Sequence, residues 1–297
     1  MGKILLTGSN GFIGCHFPKD NKDIIAAIHT NHTYQFANEI HVGEISRYTD
    51  WSSALNNVDC IVHLAEFSHS KFDNESYLTV NRQGTKKLID DAFQAGVSRF
   101  IYISSALVLP YLSAPKTRSI PLNIKIKIEN ENYLKSMARK HQKDFVIIRP
   151  CLVYGSYPPG NMGRLFKFVS KTMILPFRSI NNRRDFLSVY NLVDFISTCM
   201  YNKNSNGEEY FVSDGNPMSI KDFCLLISKL HGRRVFQLSI PASFFYFFGT
   251  VFRKSSLVEQ LIGDFVVDIK NQESQLDWKP RFTIEESFSR IKETYND

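Results

Sequence analysis

The run "KILLTGSNGFIG" (3–14) constrains the fold more than any other stretch of the chain. "KILLTG" reads as a buried strand. Glycines follow at 8, 11 and 14. Gly8 permits a tight turn, Gly11 lets backbone N–H groups approach an anion, and Gly14 lets a helix pack closely on a sheet. Strand, glycine turn and helix start in that order make a phosphate loop, and its spacing suits the pyrophosphate of a dinucleotide. The segment "CHFPKDNKD" (15–23) leaves little length for the helix, and Pro18 cannot sit in a helix interior. The anion-binding first turn is expected to survive, with the far end clipped.

Further strands are expected at "DIIAAIHT" (23–30), "EIHVGEI" (39–45), "VDCIVHLA" (58–65), "RFIYISS" (99–105) and "DFVIIRP" (144–150). A helix over 79–96 ends at Gly96. Alternation of strand and helix predicts an α/β fold, a doubly wound parallel (Rossmann) sheet covered on both faces. The later part reads as helices over 160–173, 188–202 (capped near Asn191) and 219–232, the last with Ser219 as N-cap. This predicts a dinucleotide-binding domain over 1–157 and a smaller, mostly helical substrate lobe over 158–297, with a segment around 185–200 returning to the first. The end of the second strand offers His29, Thr30, Asn31 and His32, neither an acid for a ribose 2′-hydroxyl nor an Arg for a 2′-phosphate. NAD and NADP both remain open.

Composition narrows the setting. The net charge of +7 is spread along the chain without a basic arm, so a nucleic-acid partner is not expected. Five well-separated cysteines, none in a C-x-x-C pair, suggest a reducing, cytoplasmic compartment. The eight histidines show no metal-ligand spacing, and His63 reads as packing. No stretch reaches the roughly 18 apolar residues of a spanning helix. The nearest, "IPASFFYFFGTVF" (240–252), is interrupted by Pro241 and Gly249. It is expected to be a buried helix of the second lobe; the alternative, given Arg253 and Lys254 after it, is docking on a membrane surface.

With these pieces in place, the chain resembles the extended short-chain dehydrogenase/reductases of the epimerase/dehydratase family. More narrowly, it is similar to bacterial nucleotide-sugar 4-epimerases and 4-keto-sugar reductases of surface-polysaccharide synthesis. "TGSNGFIG" (7–14) matches the cofactor loop, with Gly8, Gly11, Phe12, Ile13 and Gly14. "GEI" (43–45) matches the adenine contact, here Glu44 and Ile45. "VHLAE" (62–66) supplies Leu64 and Ala65 beside the cofactor, and "VNRQGT" (80–85) supplies an active-site Asn81. "IYISSALVL" (101–109) matches the strand with the catalytic Ser, here Ser105; "RPCLVYG" (149–155) places Pro150 and Val153 beside the nicotinamide. "GNMGRL" (160–165) and "LPFRSINNRRDFLSVYNLVD" (175–194) resemble substrate segments. They imply Asn161, Arg164, Pro176, Phe177 and Arg184 as contacts to a nucleotide-sugar, UDP-linked in this subgroup; Arg suits phosphate because its fork binds bidentately. A homodimer is the family's habit.

The resemblance breaks at one position. The family's acid/base is a Tyr in Y-x-x-x-K, two residues that share a helix face. "KIENENYL" (127–134) fixes the register from Lys127, and Asn123 then stands at the Tyr position. Asn hydrogen-bonds a hydroxyl but accepts no proton at neutral pH, and loss of an acid/base costs about 10²–10⁴-fold in rate. Tyr133 faces elsewhere, and Tyr111 lies in the loop after Ser105. Some dehydratases of the superfamily lack this Tyr and keep the Lys. Two readings follow: an NAD(P)-dependent epimerase or reductase with an atypical Ser105–Asn123–Lys127 site, or a non-catalytic binder of the same fold.

Overall fold

The computed structural model describes residues 2–30, 35–67, 73–113 and 120–296. Apolar runs become strands where the sequence predicts them: β1 Lys3–Thr7, β2 Ile24–Ile28, β3 Glu39–His41, β4 Val58–His63, β5 Arg99–Ile103 and β6 Asp144–Pro150. A seventh, β7 Glu208–Val212, was not anticipated. It pairs with β6, so the all-parallel sheet runs β7-β6-β5-β4-β1-β2-β3. β3 is shorter than the expected 39–45 because Gly43, at φ +68°, turns the chain out of the extended form. The order reverses between β1 and β4, and ligands of such sheets bind beyond the strand carboxyl ends at that point.

The chain divides into two units. Unit 1 is Met1–Pro150, Leu192–Val212 and Lys270–Lys279; unit 2 is Cys151–Asn191, Ser213–Ile269 and Pro280–Asp297. The first division falls at 150/151 rather than 157, and the return spans 192–212 rather than 185–200, because β7 completes the sheet beside β6. A second return, 270–279, brings Trp278, whose indole N–H donates to Asp194 (2.8 Å) while its ring packs edge-on to Phe195. In unit 1 the sheet is buried between helices; Leu5, Ile61, Leu88, Ile89, Phe100 and Ile147 are each fully inaccessible.

The helix expected over 79–96 starts earlier and is not uniform. It runs from Asn74 to Gln94 with a π-helical stretch, Thr79–Gly84, in its middle. Gly96 ends it at φ +92°. The 20-residue helix Leu122–His141 is tied to the sheet by a buried bidentate pair, Arg149 to Glu131 (3.0 and 2.6 Å), with Glu209 joined to both Arg149 and Lys135. That pair holds the helix against β6, with Lys127 one turn before Glu131.

Among the described residues, unit 2 combines five helices with two short parallel pairs, Leu152–Tyr154 with Phe186–Ser188 and Ile174–Leu175 with Phe236–Gln237. Its core is aromatic: Phe186 stacks on Phe223 at 3.9 Å between ring centres, beside Tyr154, Phe166 and Phe288. Ser219 caps Ile220–Leu230 by accepting from Asp222 N, as expected. The helix expected over 188–202 starts at Val189, and Asn191 is no cap. Its buried amide bridges Asp214 (2.7 Å) and the Phe282 backbone. The aromatic segment does form a helix, Ala242–Val251, but its burial was wrongly expected. Only Phe245, stacked on Phe177, and Gly249, against Val258, turn inward; Phe244, Phe247, Phe248 and Phe252 are exposed.

His63 gives this fold a pH signature. It is buried between Thr7 (2.8 Å) and Thr85 (3.0 Å), and burial, aided by the Lys127 charge, pulls its pKa from 6.5 down to about 3. Between those values the unfolded chain binds a proton that the folded chain refuses, so this contribution to stability is lost as pH falls through that window. His63→Gln should flatten the fall of the unfolding midpoint between about pH 7 and about pH 4, measured by denaturant titration. Buried Asp214, raised to about 6, acts with opposite sign but is common to both proteins and drops out of the difference.

Candidate active site

The site begins where β1 and β4 end side by side. Thr7 Oγ1 pairs with His63 Nδ1 and accepts from Ala65 N at 3.2 Å. Gly8 turns at φ +69°, and a Cβ there would meet Ala65 N and Leu64 C, both at 2.7 Å. A Cβ on Gly14 would lie 2.2 Å from Gly8 O. Both glycines are therefore demanded by packing. Gly11 is not: a Cβ there would have a single neighbour within 4 Å, Gly8 O at 3.1 Å. Its missing side chain clears the approach to the loop, which fits an anion coming up to backbone N–H groups.

The helix after the loop is shorter than expected. It is one 3₁₀ turn, Gly14–His16, after which Phe17 is extended ahead of Pro18. A multi-turn dipole is thus absent, and only local N–H groups can serve an anion. Phe12 and Ile13 are half-buried, and Phe12 packs edge-on to His16. Beyond β2, Asn31 and His32 lie outside the described residues. Glu44 is exposed, with His29 Nε2 3.9 Å away. Ile45 presses on Gly84, where a Cβ would meet its Cγ2 at 2.5 Å.

Asn81 sits within the π stretch, a device that re-aims a helix face and is frequent at functional sites. Its amide clamps Phe67 in both directions (2.9 and 3.0 Å), and Asn130 donates to its carbonyl at 2.6 Å. Ser105 ends the β5 segment as the N-cap of the Ala106–Val108 turn, its Oγ accepting from Leu107 N at 3.2 Å. Asn123 lies on the exposed first turn of Leu122–His141, one turn before Lys127, which is buried. Tyr133 turns away to Asp90 (2.7 Å). Tyr111 is on the short helix Leu109–Ser113, and much of the following loop, 114–119, is outside the described residues.

Among the described residues the Lys127 ammonium bonds neither Asn123 nor Ser105 but Glu66, at 2.5 Å. Glu66 lies three residues beyond the end of β4, and Tyr77 donates its hydroxyl to the other carboxylate oxygen at 3.5 Å. Burial and Glu66 push the Tyr77 phenol up to about 12. Lys127 also lies 6.0 Å over the ring of Tyr102, a buried phenol held by Asn130. Glu66 and Tyr77 escaped the sequence reading. The one available signal was an acid at the end of "VHLAE", next to a strand whose end faces the glycine loop.

Pro150 is buried at the end of β6, within unit 1. Val153, half-buried, belongs to unit 2. In unit 2, Arg164 donates to Asn161 (3.3 Å), which donates to Gln260 (3.3 Å) on the helix Ser255–Ile262. Arg184 meets the end of the same helix through Gly263 O at 2.7 Å. It is buried, its Nε has no acceptor among the described residues, and desolvation lowers its pKa. Pro176 is half-buried, and Phe177 lies in the core with one face on Phe245.

The Glu66–Lys127 pair should be visible in stability. Glu66→Ala leaves a mostly buried ammonium without its carboxylate and is expected to cost about 1–3 kcal/mol in denaturant unfolding. Adding Lys127→Met to Glu66→Ala should recover part of that loss; purely additive losses would show that the two side chains do not interact.

Comparison with known proteins identifies the family and the fold. Residues 4–213 match the model of the NAD dependent epimerase/dehydratase family. A UDP-glucose 4-epimerase of Vibrio cholerae is 33% identical over 311 residues, covering 98% of this chain and 95% of that protein. The fold matches the crystal structure of UDP-N-acetylglucosamine 4-epimerase from Bacillus cereus with a TM-score of 0.77 at 17% identity, over 100% of both chains. It also matches UDP-glucuronic acid 4-epimerase from Bacillus cereus, in complex with UDP-glucuronic acid and NAD, with a TM-score of 0.72 at 20% identity, over 99% of this chain and 100% of that one. Seven parallel strands, a glycine loop at their switch point and a family match over most of the length place this chain in the NAD-dependent epimerase/dehydratase family, with the NAD(P) use that defines it.

Proposed function

We propose that the protein is an NAD(P)-dependent nucleotide-sugar epimerase or 4-keto-sugar reductase serving surface-polysaccharide synthesis in the cytoplasm, with an altered proton-transfer group. The observation that carries this reading is the glycine loop, packed on Leu64 and Ala65 by Gly8 and open at Gly11. When bound, NAD(P) supplies the hydride acceptor and donor. Gly8, Gly11, Phe12, Ile13 and Gly14 hold the pyrophosphate end, and Glu44 with Ile45 the adenosine end. Leu64, Ala65, Asn81 and Pro150 wall the remainder, and Lys127 offers a cation to ribose hydroxyls. The 33% identity to a UDP-glucose 4-epimerase supports a UDP-linked sugar as substrate. In unit 2, Asn161, Arg164, Pro176, Phe177 and Arg184 are its candidate contacts, and the Nε of Arg184, without an acceptor among the described residues, is a donor suited to a phosphate oxygen.

Ser105 orients the sugar hydroxyl and Asn123 can hold it, but the proton needs a base. Glu66 is the carboxylate already at the Lys127 ammonium, and it takes that role in this reading. The same ion pair favours a second reading, a non-catalytic binder, since it occupies the cation that would otherwise serve the missing Tyr.

The two readings part on measured turnover. NAD(H) and NADP(H) titrations, followed by assays on UDP-glucose and UDP-N-acetylglucosamine, should give binding and turnover. Gly14→Ala, forced against Gly8 O, should weaken dinucleotide binding at least tenfold, about 1.4 kcal/mol. Glu66→Gln should lower kcat about 10²–10⁴-fold with little change in dinucleotide affinity, and Asn123→Tyr should change the rate little. Tight binding without turnover removes the first reading; if Asn123→Tyr then restores turnover, the protein is an enzyme that lost its base.

A further inference from the structure

The helix Ala242–Val251 exposes what a folded chain ordinarily hides. Phe244, Phe248 and Phe252 stand at i, i+4 and i+8, with ring centres 4.5 and 6.0 Å apart, an aromatic ladder along one face. Phe247 packs edge-on to Phe248 and is 63% exposed; Val251 and Phe252 are 57% and 64% exposed. The helix is held from behind by Phe245 on Phe177 and Gly249 on Val258, so the outward face is presented on a fixed support. Earlier in the chain, Phe236 of the small parallel pair and Leu238 just after it are also exposed. Contiguous exposed apolar surface of this kind marks an interaction site.

Charge selects the occupant. From Phe223 to Val258 the sequence has no Asp or Glu, while Lys229, Arg233, Arg234, Arg253 and Lys254 fall within it. The acids that reach the helix, Glu259 and Asp264, both act at Tyr246, whose hydroxyl donates to Glu259 at 3.2 Å, while Asp264 accepts from Arg183 N. A two-fold contact sets a face against its own copy, and a face bordered mainly by positive charge repels that copy. An anionic lipid surface answers both features, with phenyl rings entering the headgroup boundary and basic side chains meeting lipid phosphates. At ten residues the helix is too short to span a bilayer, and no helix among the described residues is long and apolar enough to do so.

We propose that Ala242–Val251, with Arg253 and Lys254, is a peripheral docking surface for anionic membranes. The proposal does not depend on the catalytic reading above. The test is co-sedimentation of the full chain with vesicles of phosphatidylcholine alone and of equal parts phosphatidylcholine and phosphatidylglycerol. The chain should pellet with the mixed vesicles and largely remain in solution with phosphatidylcholine, and added salt should release it. Phe247→Ser/Phe252→Ser should weaken binding about tenfold or more, and Arg253→Ala/Lys254→Ala about tenfold on the mixed vesicles only. Both variants alter exposed side chains, and unchanged circular dichroism and melting confirm that the fold is kept. Failure of the wild type to pellet with mixed vesicles, or undiminished binding in both variants, overturns the proposal. So does equilibrium sedimentation showing a wild-type dimer that Phe247→Ser/Phe252→Ser turns into monomer, which would assign the face to a second copy.

Discussion

The carboxyl ends of β1 and β4 meet through a backbone contact that no side chain could share. Gly8 lies against Leu64 and Ala65, and Thr7 ties the same strand end to His63 and Ala65. Everything chemical in unit 1 is arranged from that contact. It folds the glycine loop over the switch point, aims the segment after β4 outward, and so delivers Glu66 to Lys127. On the far side, the Arg149–Glu131 clamp fixes the helix from which Lys127 reaches. Two tight constraints, one backbone and one ionic, thus converge on a single ammonium.

Most of unit 1 was legible because its signals are local. Continuous apolar runs made six strands, and glycine spacing made the loop. What escaped depended on partners distant in the chain. β7 is a strand because β6 offers it an edge; "EEYFV" itself, two acids followed by two aromatics and a valine, carries no alternating strand signal. Asn191 looked like a cap from its place near a helix start, yet its amide is spent on Asp214 and Phe282. The Ala242–Val251 helix was misjudged for a different reason. Aromatic composition predicts burial only if a partner surface exists, and here the core receives just Phe245 and Gly249.

The site was legible as a register and illegible as a network. Lys127 and the residues after it fixed Asn123, and the helix Leu122–His141 carries both as one turn predicts. That Lys127 would find a carboxylate could not be read from its own helix, since Glu66 is 61 residues away in sequence. Asn123 stays exposed on the first turn of the helix, while Lys127, one turn on, is buried against a carboxylate supplied from outside that helix.

Unit 1 is assembled from three separated pieces of chain, the last ending at Lys279. During synthesis the ribosome releases Met1–Pro150 first, with the β6 edge unpaired until Glu208–Val212 emerges. An unpaired, buried-type strand edge is a template for wrong partners. At about 5–20 residues per second, that edge waits several seconds, and Trp278 several more. The nascent chain must therefore be shielded, or must fold around an open edge, until the segment ending at Lys279 has been made.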